Sequence, residues 1–136
     1  MEVITVPAEA AMLERVDALI QEKLETIHCP IRTQMQVKLA VEEIFINIAS
    51  YAYPSEVGQV EVGVDIDGDP PVVTIRFVDQ GCPFDPLEKP DPDVTLGLQE
   101  REPGGLGILL VKKFMDQVGY VYENGRNILT IKKEIK

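Results

Sequence analysis

Glu43 and Asn47 stand four residues apart in the run VEEIFINIASYAY, residues 41 to 53. A helix stacks such positions on one face, with Leu39 one turn before them. A carboxylate one turn from an amide oxygen offers a general base beside a ligand for a hard cation, the pairing needed where Mg²⁺ and a phosphate meet. Glu and Asn also occur at this spacing on ordinary solvated helices. The setting argues otherwise, because Ile44, Phe45, Ile46, Ile48 and Ala49 surround Asn47, and a buried amide without a partner is costly. Glu42 points about 100° away from Glu43 on a helix and reads as a solvated or structural neighbour.

Two further stretches carry chemistry. In DQGCPFD, residues 79 to 85, Asp79 can present an acceptor at the end of a strand, and Gly81 permits a tight bend or the close approach of a ligand. A plain strand-terminating turn uses the same residue types. In GGLGILLVKKF, residues 104 to 114, three glycines stand where a helix begins. Unpaired backbone N–H groups and the positive end of the helix dipole make such a place suited to anions, although a hinge into a helix would read alike. It is not a P-loop, since the lysine and hydroxyl of GxxxxGK[ST] are missing, and it lacks GxGxxG spacing.

Composition limits what these groups can serve. The chain has 136 residues, 45% hydrophobic and 26% charged, enough for one domain with its own core. With 23 acidic and 13 basic residues its net charge is −10, which repels a phosphate backbone and argues against direct nucleic-acid binding. The opening MEVITVPAEA has neither a basic region nor a long apolar one, and no run approaches a membrane span, so a cytoplasmic location is expected. Cys29 and Cys82 are far apart and lack a metal-binding context, so they read as buried or inert thiols. His28, the only histidine, reads as a cap at a helix end rather than as a catalyst.

The elements that must position these groups follow from periodicity. EVITV, residues 2 to 6, alternates as a strand, and Leu13, Val16, Leu19, Ile20, Leu24 and Ile27 recur at helical steps between Ala8 and Ile27. After Pro30, Thr33 is the expected cap of a second helix that reaches about Tyr53, before Pro54. Residues 60 to 67 and 72 to 79 read as a hairpin. Residues 80 to 105 show no periodicity, and a loop of that length is usually functional. A third helix is expected from Leu106 to Val118, and a closing hairpin joins residues 120 to 123 and 127 to 134 around Asn124-Gly125. Without regular strand-helix alternation, this order predicts an α/β two-layer sandwich with a mixed, largely antiparallel sheet and helices on one face.

In this order the three stretches resemble the GHKL, or Bergerat-fold, ATPases over nearly the whole chain. Glu43-x-x-x-Asn47 looks like that superfamily's N-box, DQGCPFD like its first glycine box and GGLGI like its second. Within it, the length and the wording DxGxPFDP, EREPGGLGI, LVKKFMD and NGRNILTI are similar to the bacterial anti-sigma-factor serine kinases. The resemblance implies an ATP- or ADP-binding protein that uses Mg²⁺, phosphorylates a serine of a STAS-like anti-anti-sigma partner and sequesters a sigma factor; a homodimer is compatible with it. It implies Glu43 as the catalytic base, Asn47 as the Mg²⁺ ligand, Asp79 as acceptor of the adenine amino group and Gly81 against the base. The amides of Gly105, Leu106 and Gly107 would hold the phosphates under a lid at about 86–103, and Thr130 would support the adenine. Two positions depart from the pattern: Tyr51 stands where many sporulation-type members have histidine, and Pro83 replaces the second glycine of the first box. A nucleotide-responsive module that binds partners without transferring phosphate is the alternative.

Overall fold

The alternating runs form strands and the three- and four-residue runs form helices in the computed structural model, which describes residues 1–88 and 106–136. Strands β1 (Glu2–Pro7), β2 (Gln59–Asp67), β3 (Val72–Asp79), β4 (Gln117–Glu123) and β5 (Arg126–Glu134) make one sheet in the order β1-β2-β3-β5-β4. All four pairings are antiparallel. Helices α1 (Leu13–Thr26), α2 (Ile31–Tyr51) and α3 (Leu106–Phe114) complete the two-layer sandwich that the sequence predicts. Pro86–Glu88 forms a short 3-10 turn, and the rest of the expected lid, with Gly104 and Gly105, lies outside the described residues.

Pleating turns successive side chains to opposite faces, so Val60, Val62 and Val64 are buried while Gln59, Glu61 and Asp65 are exposed. Against that inner face α1 sets Val16, Leu19, Ile20 and Leu24. From α2 come Val37, Ala40, Val41, Ile44 and Phe45. No helix among the described residues is long and apolar enough to cross a membrane.

Element ends differ from the sequence reading where local signals meet tertiary ones. A 3-10 turn at Ala10–Met12 precedes α1, so regular helix begins at Leu13 and not Ala8. Thr33 is not a cap: α2 starts at Ile31 after an extended Pro30, whose carbonyl accepts from Gln34 N–H at 2.9 Å. The third helix stops at Phe114 because Gln117 and Val118 pair with Lys132 and Ile131 of β5, and long-range pairing overrides a locally helical period. His28 does end α1, through its backbone. It sits at φ 53°, with His28 N–H to Glu25 O and Cys29 N–H to Leu24 O, both 3.2 Å, the two bonds of a Schellman motif. Asn124 and Gly125 both have positive φ, the requirement of a type I′ hairpin turn.

Candidate active site

The last turns of α2, the C-terminal end of β3, the N-terminal end of β5 and the start of α3 enclose a cavity of about 30 Å³, room for about two waters. Its apolar walls include Ile44, Ile48, Phe77 and Leu129, and its polar members are Asn47, Asp79 and Asn127. Asn47 reaches it because the buried stripe of α2 ends near Phe45, and the next turn lies at the edge of the core.

The side-chain N–H of Asn47 donates to the Glu43 carbonyl at 2.9 Å. That bond satisfies the donor half of the amide within the helix and leaves Oδ1 as its acceptor. One amide oxygen fits Mg²⁺, which keeps most of its shell from water and phosphate rather than from protein; no cluster of three or more His, Cys, Asp or Glu ligands occurs among the described residues. Glu43 is half-buried, and its carboxylate lies against the first turn of α3, where a methyl group on Gly107 would collide with it. A side chain at Gly107 would have to displace the Glu43 carboxylate, so glycine here lets the two lie in contact.

Asp79 is only 4% exposed. Among the described residues, both hydrogen bonds that it accepts fall on Oδ1: from Gly81 N–H and from Asn127 Nδ2, each at 2.9 Å. The backbone of Gly81 runs against the end of α2, where a side chain would strike the Ala52 carbonyl; that carbonyl accepts from Cys82 N–H at 2.8 Å. Gly81 thus permits a close approach of backbone to backbone. Cys29 is buried as expected, whereas Cys82 is exposed. Tyr51, in place of histidine, sets its ring 5.8 Å from that of Phe84 and covers the loop that Pro83 stiffens.

Thr130 is a correction. It pairs with Arg76 in β3 and Gly119 in β4, and alternation places it on the face opposite Leu129 and Asn127, away from the cavity. The β5 side chain beside Asp79 is Asn127, which is 5% exposed. Besides Asp79, its Nδ2 donates to Cys82 O at 2.9 Å and to Gly81 O at 3.4 Å. Its Oδ1 accepts from Phe84 N–H at 3.2 Å and from the Tyr120 hydroxyl, a phenol that burial pushes above its ordinary pKa. The sequence reading missed this residue, yet parity could have found it, since 127, 129 and 131 share the face of the two buried apolar positions. Tyr53 was missed as well. Its hydroxyl donates to Gln59 O at 2.7 Å and accepts from Gln80 N–H at 2.8 Å, joining the end of α2 to the start of β2 and the end of β3.

The chain is similar to several known proteins. The chain is 27% identical over 101 residues to serine/threonine-protein kinase BtrW of Bordetella bronchiseptica, covering 74% of this chain and 70% of that protein. It is 27% identical over 100 residues to serine-protein kinase RsbW of Bacillus cereus, covering 71% of this chain and 61% of that one. Anti-sigma F factor of Thermoanaerobacter pseudethanolicus is 26% identical over 93 residues, 68% of this chain and 64% of its own. The match thus spans less than two thirds of the latter two proteins. Among solved structures, that of the RsbU and RsbW domains of a Mycobacterium tuberculosis protein superposes with a TM-score of 0.64, at 14% identity, over 99% of this chain and 33% of that one; such identity speaks for the fold alone. A family model described as a histidine kinase-like ATPase domain matches residues 6–133, from the end of β1 to all but the last residue of β5, and the chain belongs to that family.

Proposed function

We propose that this chain binds Mg-ATP and transfers the γ-phosphate to a serine of a small STAS-like anti-anti-sigma protein, sequestering a sigma factor when that partner is absent. It would work in the cytoplasm, where sigma factors act. The observation that carries the reading is the meeting of Asn47 and Asp79 with Ile108 of α3 around one cavity, with the Glu43 carboxylate beside it against Gly107 in the first turn of α3. Asp79 would accept the adenine amino group on Oδ2 while Asn127 and Gly81 hold Oδ1. Asn47 would present Oδ1 to Mg²⁺, which supplies charge neutralisation to the phosphates. The amides at the start of α3 would face the phosphates at the positive end of the helix dipole. Glu43 would take the serine proton as the serine oxygen bonds to phosphorus and the bond to the departing ADP oxygen breaks.

The experiment is incubation of the protein and Mg-ATP with the STAS-like proteins of the same genome, followed by intact-mass measurement. A gain of one phosphate on a partner is the expected result. No gain on any of them, with nucleotide bound, would leave a binding module and overturn the kinase reading.

A further inference from the structure

Away from that cavity, α1 and the first half of α2 leave a groove between them. Its deepest part is a cavity of about 240 Å³ lined by Asp17, Gln21, Gln34 and Lys38 together with Leu24 and Met35, and none of its residues lines the cavity at Asn47 and Asp79. Ile31 and Met35 form an apolar lip, 73% and 66% exposed. With Leu39 they stand at four-residue steps, a stripe of about 12 Å along one helix face. The surface continues past Leu39 to Phe114 of α3.

The floor of the groove holds an unmet charge. Asp17 Oδ1 is the one buried side-chain polar atom among the described residues without a hydrogen-bond partner. Burial first, then the charge of Glu42, pushes its carboxyl up to about 6, with Lys38 pulling the other way. The amides beside it donate elsewhere, Gln34 Nε2 to Cys29 O at 2.7 Å and Gln21 Nε2 to Glu25 at 3.1 Å, which leaves carbonyl oxygens to spare. Lys38 is exposed, the only cation among the described residues that line this cavity, and it leaves Oδ1 unpaired. The groove is therefore rich in acceptors beneath an apolar rim. A guanidinium, with five donors and weak hydration, matches such a floor better than a strongly hydrated ammonium does. A bare metal ion would need more ligands than the described residues cluster anywhere. A helix laid along a groove is the usual occupant of apolar anchors at this spacing.

We propose that the α1–α2 groove docks an amphipathic helix of a protein partner, with an arginine on its apolar face inserted to Asp17. The site is separate from the nucleotide cavity, and its test needs no turnover. The probe is a synthetic amphipathic peptide of about five helical turns, with leucines at three- and four-residue steps and one central arginine on the leucine face. A twin carries glutamine in its place. Backbone NMR shifts should map both peptides to residues of α1 and the first half of α2, with the arginine peptide bound roughly tenfold tighter. Asp17→Asn should erase that preference while keeping the fold, checked by circular dichroism, and Met35→Glu on the exposed lip should weaken both peptides. Equal affinity of the twins for the wild-type protein, a preference that survives Asp17→Asn, or shifts confined to another face would overturn the proposal. So would failure of both peptides to bind, or self-association of the protein that Met35→Glu abolishes, which would assign the groove to a second copy.

Discussion

At Asn127 one side-chain amide serves Asp79, Gly81, Cys82, Phe84 and Tyr120. Asn127→Ala would strand several of these buried groups, and each unsatisfied group costs about 1 to 3 kcal/mol. We expect a loss of roughly 2 to 4 kcal/mol in urea unfolding and, under the proposed function, weaker Mg-ATP binding, because Asp79 loses the donor that orients it. Unchanged stability would mean that the loop holds itself. Glu43 tests the chemistry: Glu43→Gln is nearly isosteric, so Mg-ATP and partner binding should persist while phosphorylation falls by roughly 10² to 10⁴, the usual worth of a positioned base. Asn47→Ala should instead lose Mg-ATP binding and transfer together, as read by calorimetry and intact mass. A wild-type phosphorylation rate in Glu43→Gln would reduce that residue to a structural one. Glu43 and Asn47 were legible because a helix shows its neighbours in sequence at fixed spacing. Asn127 was harder, since four of its five partners lie more than forty residues away along the chain, and only strand parity distinguishes it from Thr130.

The helices carry their own signals for where they end, and some of these are weak. At the end of α1 a residue with a side chain occupies a left-handed conformation, His28 at φ 53°, where a non-glycine residue pays roughly 1 to 2 kcal/mol. His28→Gly should relieve that strain at the cost of a looser unfolded chain, for a net gain of about 0.5 to 1 kcal/mol and a higher melting temperature. A lower one would show that the imidazole makes contacts worth more than the strain. The core stripes of α1 and α2 could be read directly from spacing, as could the Asn124-Gly125 turn. The start of α2 could not, because Pro30 supplies its first carbonyl from the backbone and leaves no capping side chain to recognise. Nor could the end of α3, which is decided by register with a strand that comes later in the chain.

Across the whole molecule, stability should respond to pH through Asp17. Its folded pKa of about 6 lies above its ordinary value, so the folded state binds the proton more tightly and its contribution is full below about pH 4. That contribution is lost as pH rises through about 6, by on the order of 1 kcal/mol once solvent screening of a half-buried group is allowed for. Urea midpoints of wild type and Asp17→Asn between about pH 4 and 8 should therefore diverge through this window, with the variant gaining relative to wild type toward neutral pH. Parallel curves would place Asp17 in solvent. The sheet order has a consequence for how the protein comes into being. Because β5, which follows β4 along the chain, lies between β3 and β4, a nascent chain that has made everything up to Glu123 leaves the facing edges of β3 and β4 open and lacks Asn127 to brace the Asp79 loop. Such edges invite pairing with other chains. The ribosome-bound intermediate would be the vulnerable form, and completion of the site would coincide with completion of the sheet, so that ligand competence arrives only once β5 has been translated.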